Sequence, residues 1–443
     1  MSKRNSTSLK VKLRAHEIYA EFKYRIIFEG ILVGMATGAV VSIFRYILGY
    51  ADNVRNALIS SAKESIGGLI IALLVLAVLL TISFLCLKKE PLTSGSGIPQ
   101  VKAEINGYVN AKWGRVLLLK FIGGICSITA GLSLGREGPS IQLGAMTGKG
   151  IAVSFEKIEE DSKKLMICGA GAGLAAAFSA PLAGIVFVIE ELHKNYSAEI
   201  LLSSMASTIT ADWVCSRLFG LTPVFSLSLG MDLPLSRYWE IAVLGILLGA
   251  FGAFYNRAIA FSQDTVGKLN PVLKAIVSGA LIVILAIFYP DILGSGHHLV
   301  NDASFGIWPI ETFAVILVLK FIFSIFSFGT GVPGGIFLPL LVIGGITGGL
   351  FGKTMAMLYS TTFEYMAIFV ILGMAGYFSA IVKAPLTGVI LISEMSGTLS
   401  NLLPLGIVAF SAYIVAELLY SIPIYDQLLK RMLKNQGKTQ KSS

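Results

Sequence analysis

Three glycine-framed turns interrupt apolar stretches of the sequence. They read SGSGIP at 94–99, GREGP at 135–139 and GGIFLP at 334–339. In the first two, a proline follows the turn at the position expected for the first residue of a new helix, and in the third the glycines open the helix. A helix N-terminus offers unpaired N–H groups and the positive end of the helix dipole. Each turn therefore predicts a place that attracts an anion.

Three such turns occur in one membrane chain. Backbone polar groups are tolerated at membrane depth only where they face protein or a water-filled cavity, so three helix starts indicate one shared site. Ser96 adds a hydroxyl, and no cluster of lysines or arginines accompanies the turns. Such a site suits a small anion that must both bind and leave. The alternative is that each turn is only a kink.

Two carboxylates are candidates for proton chemistry. Glu137 lies at the predicted start of the helix after GREGP, where its carboxylate can itself occupy an anion site. Glu191 ends the apolar stretch 180–191 and adjoins LHKNYS, which returns to water. Helix dipoles favour an ionised carboxylate, whereas desolvation favours a protonated one. The two residues together predict a proton carrier that competes with an anion.

Other ionisable residues within or beside apolar segments have structural explanations. We expect Lys120 and Lys320, which are repeat-related, to snorkel or to cap carbonyl groups. We expect Lys383 and Arg136 to pair with nearby carboxylates. Glu190 and Glu394 are also repeat-related, which predicts that one of them is structural. Such residues are costly in a membrane, so each is also a functional candidate; the set includes Glu417.

The elements that position these residues must be membrane helices. The chain of 443 residues is 55% hydrophobic and 14% charged, against about 25% charged in soluble domains. Its mean hydropathy is +0.77. Residues 67–86 carry no charge, and a helix of that length crosses about 30 Å of hydrocarbon. The N-terminal segment lacks the pattern of a cleavable signal peptide. These features predict a polytopic all-α membrane protein.

The net charge of +9 is concentrated at the two ends. Under the positive-inside rule, both termini are expected to be cytoplasmic. Basic flanks beside membrane spans are ordinary orientation signals, so we expect no nucleic-acid partner. The four cysteines lie in apolar surroundings without paired spacing, which predicts buried core residues. The four histidines form no metal-binding pattern, so neither a metal nor a cofactor is expected.

The chain repeats itself. Five segments of the first half recur in the same order in the second, among them GSGIPQV as GSGHHLV and APLAGIVFVIEE as APLTGVILISEM. Duplicated halves are typical of secondary transporters. We expect repeats at 26–222 and 236–426, a linker at 223–235, and basic terminal segments at 1–25 and 427–443. Several apolar segments are too short to span, which favours inverted repeats of tilted, broken and re-entrant helices.

From about residue 26 to 430, the chain resembles the CLC family of chloride channels and chloride/proton antiporters. The resemblance rests on GSGIP at 95–99, GREGP at 135–139 and GIFLP at 335–339, which occur in the family's order and spacing. It implies inverted repeats and a homodimer with a separate pathway in each subunit. The family places its dimer contacts near 192–215 and 403–420. The absence of paired cytoplasmic domains of the cystathionine-synthase type resembles the short prokaryotic form.

The resemblance also assigns roles to single residues. It implies a central anion site built from Ser96, Gly97, Ile98, Ile336, Phe337 and Tyr425. Ser96 and Tyr425 would contribute hydroxyls, and Ile336 and Phe337 would contribute backbone N–H groups. Glu137 matches the gating glutamate, and Glu191 matches the internal proton-transfer glutamate of antiporters. The Ser96 position resembles chloride-selective members. Many relatives have glutamate at the position of Gln100, which leaves the charge of the inner vestibule open.

These features bear on three possible functions. Retention of both Glu137 and Glu191 favours a chloride/proton antiporter in a bacterial cytoplasmic membrane. A passive chloride channel on the same scaffold is the alternative, because a gating glutamate alone does not require proton coupling. A membrane-embedded enzyme would need a nucleophile–base pair, a metal cluster or a cofactor motif, and the sequence offers none of these. We therefore expect a transporter rather than an enzyme.

Overall fold

The computed structural model describes residues 2–194, 197–225, 227, 233–359, 363–435 and 437, with side chains described from residue 24 onward, except at 363. The expected linker 223–235 lies partly outside the described residues, because 226 and 228–232 are not among them. Parts of the terminal segments 1–25 and 427–443 lie outside the described residues as well. Helix α1 runs continuously through the expected boundary at residue 25.

The described residues form seventeen α-helices. The first eight are α1 (Ser2–Glu64), α2 (Ile66–Lys89), α3 (Ile98–Ile105), α4 (Trp113–Thr129), α5 (Glu137–Ser154), α6 (Glu159–Phe178), α7 (Pro181–Phe187) and α8 (Ala198–Phe219). The others are α9 (Tyr238–Thr265), α10 (Pro271–Phe288), α11 (His297–Ser304), α12 (Ile310–Gly329), α13 (Phe337–Leu358), α14 (Met366–Val382), α15 (Pro385–Ser396), α16 (Leu402–Leu418) and α17 (Ile424–Asn435). A π-helical turn, Val188–His193, extends α7.

Within the described part of the chain, six helical segments are long and apolar enough to cross a membrane. They are Tyr24–Glu64, Ile66–Lys89, Leu235–Lys268, Pro271–Phe288, Ile310–Gly329 and Phe337–Leu358. The second contains the predicted span 67–86. Helix α7 has seven residues and extends for only about 10 Å, so it cannot cross alone. The predicted mixture of spanning and broken helices is therefore present.

The two halves match helix by helix, since α1–α8 correspond in order to α9–α16. Helices α5 and α6 pack together as α13 and α14 do, and α1 packs on α8 as α9 packs on α16. Equivalent residues exchange hydrogen bonds where the halves meet. The Gly135 N–H donates to the Gly335 carbonyl at 2.7 Å, and the Gly335 N–H donates back at 2.8 Å. This antiparallel exchange is what a local two-fold relation between the halves produces.

Two buried lysines repeat the same relation. Lys120 donates its ammonium to the carbonyls of Thr93 and Gly95, at 2.9 and 2.6 Å. Lys320 donates to the carbonyls of Ile292 and Gly294, each at 2.8 Å. Both side chains are fully buried. The prediction that these lysines cap carbonyl groups is confirmed, and each one fixes the loop that precedes α3 or α11.

Two glutamates each cap the start of a helix in the opposite repeat. Glu394 accepts the N–H groups of Leu182 and Ala183 at the start of α7. Glu190 accepts those of Leu386 and Thr387 at the start of α15. A carboxylate at a helix N-terminus satisfies unpaired donors and complements the dipole. We expected one of this pair to be structural, and both are, because the cap is reciprocal between the repeats.

Two further sequence predictions are confirmed. Lys383 pairs with Glu417 at 2.5 Å. The four cysteines, at positions 86, 126, 168 and 215, are all buried.

Candidate functional site

The first turn ends in a tightly held start of α3. Gly97 is the N-cap, with φ +90°, a left-handed conformation that only glycine adopts without strain. A Cβ atom at Gly97 would also lie 2.4 Å from the Gln142 side-chain oxygen. Ser96 is 2% exposed, and its hydroxyl accepts the Ile98 N–H at 3.4 Å. Helix α3 therefore begins with a buried serine beside its free N–H groups.

The positions of the prolines differ from the sequence prediction. Helix α3 begins at Ile98, so Pro99 is its second residue. Helix α5 begins at Glu137, so Pro139 is its third residue. The prediction of a first-position proline was wrong by one and two residues. The reason is that the whole first turn of a helix has N–H groups without intrahelical partners, so proline is tolerated throughout it.

The three turns lie against one another. A Cβ atom at Gly138, in the first turn of α5, would lie 2.8 Å from both the Cβ and the carbonyl oxygen of Ser96. The Gly334 N–H, before α13, donates to the Gly95 carbonyl at 2.9 Å. The second and third turns share the Gly135–Gly335 exchange described above. The starts of α3, α5 and α13 therefore lie together, as a shared anion site requires.

The third turn is fixed by aromatic packing. Ile336 is the N-cap of α13 and Phe337 its first residue, and both are fully buried. The Phe337 ring lies 5.3 Å from that of Phe178 and 4.9 Å from that of Phe378, measured between centroids. These contacts immobilise the start of α13, so its backbone N–H groups keep a fixed direction.

Tyr425 approaches the same region from α17. Its side chain is fully buried. Its hydroxyl has no hydrogen-bond partner among the described residues. The hydroxyl lies within electrostatic range of both Glu137 and Glu191. Tyr425 is therefore a buried polar group that is available to a ligand.

Glu137 is the first residue of α5 and is fully buried. Neither carboxylate oxygen has a well-aligned hydrogen bond among the described residues, although the backbone N–H groups of Glu137 and Leu338 lie close to the carboxylate. The nearest cation is Arg136, whose Nε lies 3.9 Å from Oε1, beyond hydrogen-bond distance. The expected pairing of Arg136 is thus a loose ion pair. A buried carboxyl group without well-aligned hydrogen bonds is costly, and such a group is free to change partner.

Glu191 lies on the π-helical turn, and its environment is different. It is 2% exposed, and its Oε1 accepts the Lys102 ammonium at 2.7 Å. The same ammonium bonds to Asp426, the residue after Tyr425. Glu137 therefore has only a loose ion pair with Arg136, whereas Glu191 is held by a close one.

Two cavities approach the turns. The Ser96 cavity, of about 790 Å³, is lined by Ser96, Gln100, Lys274 and Arg431 among others. The Arg136 cavity, of about 670 Å³, is lined by Arg55, Arg136, His297 and Leu338 among others. Lys274 is near the start of α10, whereas Pro290, which lines the second cavity, follows its end. The cavities therefore lie at opposite ends of a membrane-spanning helix, with the three turns between them.

Both cavities carry more cations than carboxylates among their described lining residues. The Ser96 cavity has Lys268, Lys274, Arg431 and Lys434 against Asp264. The Arg136 cavity has Arg55, Lys63 and Arg136 against Asp52 and Asp291. Such a surplus raises the local concentration of small anions. In the described part of the chain, no group of three histidine, cysteine or carboxylate side chains is arranged to hold a metal ion.

Sequence reasoning missed two residues of this region. Lys102 and Asp426 were not among the candidates. Lys102 forms the ion pair with Glu191, and Asp426 bonds to the same ammonium group. The signals were a lysine two residues after Gln100 and an aspartate directly after Tyr425. They could not be joined from sequence, because 324 positions separate them.

The chain is similar to known proteins over most of its length. The model of the voltage-gated chloride channel family matches residues 78–417. An H(+)/Cl(-) exchange transporter, ClcA of Vibrio campbellii, is 33% identical over 423 residues, which cover 93% of this chain and 90% of that protein. ClcA of Vibrio cholerae is 34% identical over 425 residues, which cover 93% and 91%.

Solved structures show the same fold. The crystal structure of a slow cyanobacterial Cl−/H+ antiporter superposes with a TM-score of 0.87 at 30% identity, covering 94% of this chain and 99% of that one. A eukaryotic CLC transporter superposes with a TM-score of 0.76 at 21% identity, covering 92% and 74%, which shows the fold alone. These matches confirm the predicted class, an all-α polytopic protein of two inverted repeats.

Proposed function

The chain belongs to the voltage-gated chloride channel family, and from that premise we propose that it is an antiporter exchanging chloride for protons across a membrane. Relatives that match nearly the whole chain carry the names of H(+)/Cl(-) exchangers. Chloride and protons are the substrates in this proposal, and no cofactor takes part.

The observation that carries the proposal is the position of Glu137. Its carboxyl group is buried where three helix starts meet, between two cavities, and no described residue makes a well-aligned hydrogen bond to it. When ionised, it takes the place of an anion at the start of α5. When protonated, it loses that attraction and yields the place to chloride. The ionised carboxylate and chloride therefore exclude each other at this point, whereas a proton on Glu137 favours chloride binding.

The central chloride site in this proposal consists of Ser96, Gly97, Ile98, Ile336, Phe337 and Tyr425. Hydroxyls of Ser96 and Tyr425 and the N–H groups at the starts of α3 and α13 supply the donors. Helix dipoles and neutral donors hold an anion without a fixed cation in contact with it, so chloride can also leave.

Glu191 carries protons between Glu137 and the aqueous phase at the Ser96 cavity. It is buried but adjoins Lys194, whose side chain is 48% exposed. Chloride passes through the three turns, while the proton passes by way of Glu191. The two ions thus share Glu137 and differ in the rest of their routes.

The proposal extends to the orientation of the chain in the membrane and to its assembly. We infer repeats at 26–222 and 236–426 joined by the linker 223–235, in a bacterial inner membrane with both termini cytoplasmic. The basic residues of the segments 1–25 and 427–443 support this orientation under the positive-inside rule. We also infer a homodimer with one pathway per subunit. Exposed apolar side chains on α8 and α16, among them Ile209, Trp213 and Phe410, suit a partner subunit.

A passive chloride channel is the second candidate, since the loose ion pair of Glu137 fits a simple gate as well. The ion pair of Glu191 favours exchange, because a channel has no need of a second buried carboxylate on a proton route.

The test is transport by the purified protein in liposomes with an imposed chloride gradient, with the pH and chloride recorded together. We expect chloride to move down its gradient and protons to move uphill in the opposite direction. Glu137→Ala and Glu191→Ala are expected to abolish proton movement, and Glu191→Ala to retain chloride flux. Glu159→Ala, which removes a carboxylate with an 81% exposed side chain, is the control and should remain coupled. Chloride flux without proton movement in the unmutated protein would favour the channel.

A further inference from the structure

Four charged side chains form a cluster beside the three turns. Lys102, on α3, donates to Glu191 Oε1 at 2.7 Å and also bonds to Asp426 Oδ1 on α17. Lys194, which follows the π-helical turn, donates to Asp426 Oδ2 at 2.9 Å. One ammonium group is thus shared between two carboxylates, and the cluster joins the first repeat to the last helix.

The cluster extends from the interior to water. The exposed fractions of the side chains are 3% for Glu191, 4% for Lys102, 28% for Asp426 and 48% for Lys194. Charges at the buried end are weakly screened, so a change at one of them is felt strongly by its neighbours. Glu191 is therefore most sensitive to Lys102, the buried cation that bonds to it.

The charges balance when all four groups are ionised, with two positive and two negative. The charged groups that face Glu191 are Lys102 from α3, Lys194 from the following segment and Asp426 from α17. Its neighbour Glu190 is engaged at the start of α15. Burial raises the pKa of Asp426, but Lys102 and Lys194 reverse this and leave that pKa below its ordinary value. The charge of Lys102 therefore acts on both carboxylates.

We propose that Lys102 and Asp426 are positioning residues that set the pH at which Glu191 takes up its proton. Lys102 holds the Glu191 carboxylate in place and favours its ionised form. Asp426 disfavours the ionised form of Glu191, because it carries a negative charge and binds the same Lys102 ammonium group. This inference deepens the proposed function and rests on it for the role of Glu191 in proton transfer.

The proposal predicts shifts of opposite sign. Lys102→Met removes a cation in contact with Glu191 and leaves two carboxylates facing each other, so Glu191 should take up a proton at higher pH. Asp426→Asn removes the competing anion and leaves the charge of Lys102 to Glu191, so uptake should occur at lower pH. Loss of packing alone would not reverse sign between the two variants.

The experiment is a pH titration of the full-length protein in detergent, followed by infrared difference spectroscopy of carboxyl groups, with the Glu191 band assigned by Glu191→Gln. We expect the midpoint to rise by about one pH unit or more in Lys102→Met and to fall by a similar amount in Asp426→Asn. Lys102→Arg, which keeps the charge, should stay near the unmutated value. Asp264→Asn is the matched control, because it breaks the pair with Arg431 that also holds α17, and it should not move the midpoint.

Midpoints that stay unchanged, or that move in the same direction in both charge variants, would overturn the proposal. If Lys102→Met does not fold, Asp426→Asn decides alone, and a midpoint that rises or stays constant refutes the inference. The titration does not require transport, so its failure is separate from that of the proposed function. That function is tested by coupling in the unmutated protein.

Discussion

Lys120 offers the sharpest test of how the scaffold supports the Ser96 turn. Its ammonium group is fully buried and bonds to the carbonyls of Thr93 and Gly95, directly before Ser96. Lys120→Met keeps much of the side-chain volume but removes the donor. The Thr93 carbonyl then loses its partner and the Gly95 carbonyl keeps only the Gly334 N–H, while the apolar contacts of the stem remain.

The structure sets the scale of the effect. A buried carbonyl without a hydrogen bond costs about 1–3 kcal/mol, which is the cost expected at Thr93. The loop relaxes to recover part of this cost, and that relaxation moves Ser96. If about 1.4 kcal/mol of the cost appears in ligand binding, chloride affinity falls about tenfold.

The second repeat supplies a matched control. Lys320 bonds to the carbonyls of Ile292 and Gly294 with nearly the same geometry and burial, but next to the Arg136 cavity. Lys320→Met should therefore lower the thermal stability in detergent as well. Isothermal titration with chloride should show the loss of affinity in Lys120→Met and little change in Lys320→Met.

The results that would refute this reasoning are specific. Equal loss of chloride affinity in both variants would show that general loosening, not the Ser96 turn, controls binding. Unchanged stability in both would show that neither hydrogen-bonded lysine holds its loop.

Two further predictions follow from close contacts between the turns and between the repeats. Gly138→Ala places a Cβ atom 2.8 Å from Ser96. We expect this overpacking to destabilise the protein by about 1–3 kcal/mol and to weaken chloride binding measured by calorimetry. Gly49→Ala is the control, because a Cβ atom there has nothing within 4 Å, and it should bind chloride normally. Glu190→Gln and Glu394→Gln each weaken a cap on two N–H groups, so each should lower stability by about 1–2 kcal/mol in thermal unfolding. A large effect in only one of these two would contradict the reciprocal cap.

Much of the membrane architecture is readable from the sequence. The uncharged stretch 67–86 predicts a span because hydrophobicity and helix length are local properties. The repeated segments predict corresponding helices in the two halves, and the paired lysines predict carbonyl caps. The glycine turns predict helix starts because backbone conformation and donor supply depend on a few neighbouring residues.

Other features required the tertiary structure. Proline positions within α3 and α5 differ from expectation, since the exact helix start depends on packing. The roles of Glu190 and Glu394 became clear only when each was found at the other repeat's helix start.

The sequence by itself determined the class of protein, the three turns and the two carboxylates, because these depend on composition and local pattern. Only the tertiary structure decided that Glu137 lies between two cavities with no more than a loose ion pair, while Glu191 is held by Lys102, which Asp426 also binds. The physical reason is that a charge is governed by what lies within a few ångströms of it, and residues 102 and 426 become neighbours only when the chain folds.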